Sequence, residues 1–365
     1  MLVNFHRLVA LAACVAVLIA VVVWTIFTRR RETFENPPKT IRFATTNKPW
    51  GVQFSKDGKH LFVGGESLMV YELQGQKQPK LVRTYDFSTS MGTARGLSLS
   101  PDGQTLVVGR PKHISFFSVP ALISGGKPFI DSVPVPALAS DRRDPNAAEP
   151  TFSPDGTRVV CPIEYQRRVM VVDVKLALEK AGSRAVIGFI PAGGAPVGVS
   201  FFPEKGSELV AFTNQSDKAV AKSGGCSGSV RVANYRTLEI EKTIPMNPGC
   251  SAVRVVVGQT HMYVSSRSDN KIIKIDRSNY DQKTAYPVGP NPVGIGIANG
   301  NKLIVAASNR FGGDSPGEIN VVNTDTGNVD ARIPGLKFPR GVAISPDGSV
   351  AAVTYFHGAA VEIVR

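Results

Sequence analysis

Hydrophobic and polar positions along this chain follow a two-residue rhythm that the same reverse turn interrupts at regular intervals. The clearest instance is Pro339-Arg340-Gly341-Val342-Ala343-Ile344-Ser345-Pro346-Asp347-Gly348, where apolar positions alternate with small or polar ones up to a Ser-Pro-Asp-Gly corner. Such alternation marks a strand whose two faces meet different neighbours. In the corner, proline presets φ near about −65° and the closing glycine supplies the positive φ that reverses the chain. An aliphatic run follows, as in Leu106-Val107-Val108 or Leu303-Ile304-Val305. Each corner therefore predicts a pair of antiparallel strands.

Close copies recur along most of the length. Arg95-Gly96-Leu97-Ser98-Leu99-Ser100-Pro101-Asp102-Gly103 is nearly the same text, and the segments starting at Trp50, Phe152 and Pro196 are weaker versions. Looser ones begin at Cys250 and Pro292. Aligned on Gly341, the copies fall at 51, 96, 149, 198, 252, 294 and 341, a spacing of about 48 residues that suits one propeller blade. Third and fourth strands complete the unit: Glu318 to Asn323, a Thr324-Asp325-Thr326-Gly327 turn and Asn328 to Ile333 in the sixth copy, Met262 to Ser266 and Asn270 to Asp276 in the fifth. A four-stranded sheet cannot bury both faces alone, so about seven units packed radially are expected.

The Tyr263-Val264-Ser265-Ser266 segment, the Asn270-Lys271-Ile272-Ile273-Lys274-Ile275-Asp276 strand and the Pro-x-Gly-Val-x-Ile-Ser-Pro-Asp-Gly corner resemble the YVTN-repeat β-propeller family over about residues 39–365. That resemblance implies a seven-bladed disc. It does not imply one activity, because relatives include binders and, more distantly, lactonase-like and amine-dehydrogenase-like enzymes. WD-repeat propellers fit less well, since no Gly-His to Trp-Asp pairing recurs and the tryptophans are Trp24 and Trp50.

Composition changes the picture at the amino terminus and in the charge. Residues Leu8 to Phe27 are almost continuously apolar, which is long enough for a helix to span a bilayer. No small-residue cleavage site closes the run, and Leu11-Ala12-Ala13-Cys14 lies too early in it for a lipoprotein box. The expected fold class is thus all-β, a seven-bladed β-propeller preceded by one N-terminal transmembrane helix. Its parts are a membrane anchor over 1–31, a linker over 32–38 and the propeller over 39–365. Arg29 to Arg31 lean against export by the positive-inside rule, while Arg7 and the amino terminus pull the other way.

Cys226 and Cys250 fall on connections that emerge on one propeller face at neighbouring blades. A disulfide between them is geometrically allowed and would persist in an oxidising compartment; free thiols are the alternative. Together with the usual placing of anchored members of the family, this favours an extracytoplasmic propeller. The strand around Ile41 to Ala44 precedes the first hairpin, and the last strand, Ala360 to Val364, lacks a fourth partner. Pairing of the two would close the ring. Pro120 to Gly126 and Lys175 to Gly182 read as helical turns on the outer rim.

The candidate site follows from which loops converge. Connections entering the innermost strands and those between second and third strands meet at one mouth of the channel, and the Ser-Pro-Asp-Gly corners lie at the other. Arg95, Arg110, Arg267, Arg310 and Arg340 come from four repeats, Arg95 and Arg110 sharing the second, and are expected around that mouth, with Trp50, Asn309 and His357 beside them. Converging guanidinium groups match carboxylate and phosphate oxygens bidentately. The competing reading pairs each arginine with a neighbouring carboxylate such as Glu149 or Glu164, and makes Trp50 a plug rather than a stacking platform.

A net charge of +13 and a pI near 9.7 favour anionic neighbours. No Cys-x-x-Cys-His, phosphate-cradling glycine loop or Gly-x-Ser-x-Gly elbow occurs, and the five histidines show no ligand spacing. No cofactor or metal is therefore expected. The reading is a monomeric, membrane-anchored, non-catalytic propeller that binds a protein partner or an anionic small molecule on its arginine-lined face. The alternatives are a lactonase-type hydrolase or oxidoreductase-associated propeller, marked by a divalent ion on Glu149 or Glu164, and a single-stranded nucleic-acid binder.

Overall fold

The computed structural model describes residues 38–75, 77–87, 92–138, 143–217, 228–246, 251–307 and 315–365. Seven antiparallel sheets follow one another along the chain, the first six each running from innermost to outermost strand. The innermost strands are Gly51–Phe54, Leu97–Leu99, Thr151–Phe152, Gly194–Phe201, Ala252–Val257, Pro292–Ala298 and Pro339–Ile344. They define blades one to seven in that order.

Blade seven takes its outermost strand from the other end of the chain: Thr40–Ala44 runs antiparallel to Ala360–Val364, with Phe43 opposite Val361. Arg42 adds an ion pair to Glu362 at 2.9 Å, and Glu362 also accepts from the Tyr355 hydroxyl. No blade edge is left open between first and last strands, which is what stops a closed sheet architecture from templating association.

Two-residue alternation decides how blades pack. In blade one Leu61, Val63, Met69 and Tyr71 face blade seven, while Phe62, Leu68 and Val70 face blade two. The same division holds round the ring, so seven buried apolar clusters each fill one junction between neighbours. Burial of both faces of every sheet is what a lone blade cannot achieve.

The corners act as the sequence predicts. In Ser345-Pro346-Asp347-Gly348 the Ser345 hydroxyl donates to Asp347 at 2.5 Å and Asp347 accepts from the Ser349 amide; Gly348 takes φ 74°. Ser100–Asp102 and Ser55–Asp57 repeat the geometry. Short helices sit on the rim at Val119–Ser124, capped by the Ser118 side chain and ended by left-handed Gly125, and at Val174–Leu178, capped by Asp173. The second ends before Gly182, at Glu179.

One element of the expected fold class is corrected. Among the described residues no helix is long and apolar enough to cross a membrane, the α-helices just named having six and five residues. The structure described is an all-β propeller without a spanning helix, and the apolar stretch 8–27 lies outside the described residues. Cys226 and Cys250 lie outside them too, whereas Cys161 is a free, buried thiol.

Candidate functional site

Blade packing at the channel leaves room for a side chain at few positions. Where an innermost strand faces the next blade, a glycine recurs: a Cβ on Gly198 would meet the Arg254 Cα at 2.8 Å, and one on Gly341 the Trp50 carbonyl oxygen at 2.6 Å. Strand register identifies this column as Gly51, Gly96, Glu149, Gly198, Arg254, Gly294 and Gly341, because the position after it pairs equivalently in six blades (Val199 with Phe212, Val255 with Val264, Val342 with Val353), and in blade three Thr151 pairs with Val160 in the same frame. The sequence alignment therefore needs a two-residue correction in blade five, from 252 to 254. Five of the seven column positions are glycine. The two exceptions are a glutamate and an arginine.

Those two meet. Arg254 and Glu149 form an ion pair, and Arg254 has 9% of its surface exposed. Glu149 interrupts its own strand, since blade three carries Asn146–Ala147 and Thr151–Phe152 as separate pieces with Pro150, which lacks an N–H, between them. Three further groups complete the layer. Arg340, 8% exposed, stacks with its guanidinium carbon 3.6 Å from the Trp50 ring centre; Arg95 stacks at 4.3 Å and lies 3.6 Å from Glu164. Glu164 also accepts from the Asn146 amide at 2.7 Å.

Three arginines thus share two carboxylates around one indole ring. Burial pushes Arg340 down to about 9, with Arg254 and Arg95 adding repulsion and Glu149 opposing it. A guanidinium does not lose its proton in a protein, so this depression signals a poorly solvated cation. Its Nε, buried, finds no hydrogen-bond partner among the described residues. Burial likewise raises Glu149 and lowers Arg254, each opposed by the other. The accessible fifth of the Glu149 side chain lies at the channel cavity.

The layer is braced from behind. Thr354, fully buried, accepts from the Gly341 amide at 2.8 Å and donates to the Trp50 carbonyl at 3.0 Å, joining blade seven to blade one. Thr213 does the same between Gly198 and Val253, and Ser265 between Arg254 and Val293. Beyond the charged layer the channel holds a cavity of about 170 Å³, reached by Trp50, Glu149 and Arg254. The position after the glycine column is apolar in every blade, from Val52 through Pro150 and Val255 to Val342, and forms its wall.

The expected site residues divide. Arg95, Arg340 and Trp50 gather as described. Arg110 does not join them: it is 1% exposed inside blade two, donating to Ser115 and Ser132, over Phe87 at 5.4 Å, with burial pushing it down to about 10. Arg267 is half-buried in the Arg267–Asp269 turn of blade five. His357 is exposed and packs by its ring on Phe338 and Phe356, the latter edge-on to Trp50 at 4.9 Å. Asn309 and Arg310 lie outside the described residues. Trp50 itself is engaged by two guanidinium groups, so the ring holds arginines in place. Alignment of its copy on Ala252 hides Arg254, and the apolar position that follows the column in every blade, Val255 here, reveals it.

Among the described residues no three His, Cys, Asp or Glu side chains gather as a metal site would need. No family model matches the chain, and no curated protein does. Solved structures do: the chain is similar to Kuenenia stuttgartiensis hydrazine synthase at 15% identity and a TM-score of 0.68, over 88% of this chain and 97% of that one. At that identity the likeness is one of fold. The chain is a seven-bladed β-propeller.

Proposed function

We propose that this chain is a ligand-binding propeller of the YVTN-repeat kind whose channel takes a small anion. One observation carries the reading: Arg340 is about nine-tenths buried, has a buried Nε without a partner among the described residues, and belongs to a layer of three arginines and two glutamates. A buried cation is tolerated when paired and hydrogen-bonded, and truncating or leaving one unpaired costs several kcal/mol. An anion entering from the cavity that Arg254 and Glu149 line supplies the countercharge this layer lacks. The carboxylates that the hydrolase alternative needs, Glu149 and Glu164, are both engaged by arginines, which favours binding over metal-assisted hydrolysis.

The chain has two tryptophans, Trp24 and Trp50. In a Trp24→Phe background the emission of Trp50 reports the layer directly. Titration with inorganic phosphate, acetate and citrate should change that emission saturably, and Arg340→Gln should abolish the change while the protein stays folded. A folded protein indifferent to all three anions overturns the reading.

A further inference from the structure

The anion site has a polar end and an apolar wall, and the two together define a ligand class. Arg254 reaches the cavity from the charged layer, and the collar next to it is built from Val199, Val255, Ile295 and Val342, with Gln53 and Thr151 the polar side chains elsewhere in the lining. The four collar side chains offer no hydrogen bond. A phosphate, with acceptor oxygens on every side, would turn some of them toward these aliphatic groups, which is less favourable than leaving them in water. A carboxylate presents its oxygens at one end only.

Resting on the anion-site reading above, we propose that the channel binds a short apolar monocarboxylate, its carboxylate on Arg254 and its hydrocarbon chain in the collar. Charge supports a single negative group: three arginines against two glutamates leave one excess positive charge. Glu149 feels both Arg254 and Arg340. A ligand carboxylate accepting from Arg254 therefore frees Glu149 to answer Arg340, and every ion in the layer is then paired. Size supports a short chain. The cavity of about 170 Å³ far exceeds the roughly 10–15 Å³ that a single water needs, and it is small enough to suit a short acid rather than a long one.

The test uses the full chain carrying Trp24→Phe, titrated with acetate, butanoate, pentanoate and inorganic phosphate, read by Trp50 emission and by calorimetry. Each methylene moved from water into the collar should tighten binding about fourfold, so butanoate should bind roughly an order of magnitude more tightly than acetate. Val342→Thr, similar in shape but bearing a hydroxyl in the wall, should flatten that slope. Arg254→Gln should weaken all the acids, and the chain-length series stands even if that variant folds poorly. Affinity independent of chain length, or phosphate preferred to butanoate, overturns the monocarboxylate assignment and leaves an anion site. Absence of binding by all four probes overturns both.

Discussion

Removing either partner of the Glu149–Arg254 pair should not cost the same, and the asymmetry follows from Arg340. Glu149→Gln leaves Arg254 and Arg340, each with less than a tenth of its surface exposed, without the nearer of the two carboxylates that oppose their desolvation, Glu164 alone remaining. Breaking a buried pair from one side costs about 3–5 kcal/mol. Arg254→Gln leaves Glu149 with Arg340 still beside it. Its cost should fall to that of losing one charged hydrogen bond, about 1.5–3 kcal/mol. The double variant Glu149→Gln/Arg340→Gln returns the layer to one excess positive charge and should recover part of the loss, less about 0.5–2 kcal/mol of guanidinium stacking on Trp50. Equilibrium urea unfolding of the full chain, followed both by circular dichroism and by Trp50 emission, measures all three; coincident transitions license the free energies. An Arg254→Gln protein destabilised as much as Glu149→Gln, or a double variant no more stable than Glu149→Gln, refutes an uncompensated Arg340.

Other outcomes follow from the same contacts. Thr354→Val removes the hydroxyl bridging Gly341 to Trp50 and strands a buried donor and acceptor, so it should cost about 1–3 kcal/mol in urea unfolding while Thr354→Ser stays near the parent. Asp347 is held down to about 2 by the Ser345 hydroxyl and the Ser349 amide, and Asp102 is lowered by Ser100 and the Gln104 amide. A carboxylate depressed on folding contributes stability above its unfolded value of about 3.9 and loses it as pH falls through the folded value. Melting temperature should therefore drop between pH 4 and pH 2, and more shallowly in Asp347→Asn. Deleting residues 40–45 removes the outermost strand of blade seven and should abolish the cooperative melt; a melt near the parent temperature would show that the ring closes without it.

Local chemistry made the blades legible from the chain alone. Ser-Pro-Asp-Gly corners and two-residue alternation act over neighbouring residues, so each hairpin and each face could be read where it stood, and the period implied the closed disc. Arg95, Arg340 and Trp50 were legible because each enters an innermost strand. What tertiary structure decided was partnership. Arg110 ends the second strand of blade two, on the connection expected at the same mouth, yet the side chains that receive it, Ser115 and Ser132, lie in its own blade. Arg254 faces Glu149 from two blades away only because Gly198 lets the intervening blade pack without a side chain. Charge pairing across a channel depends on distances between residues about a hundred positions apart, and no local pattern encodes those until the ring has closed.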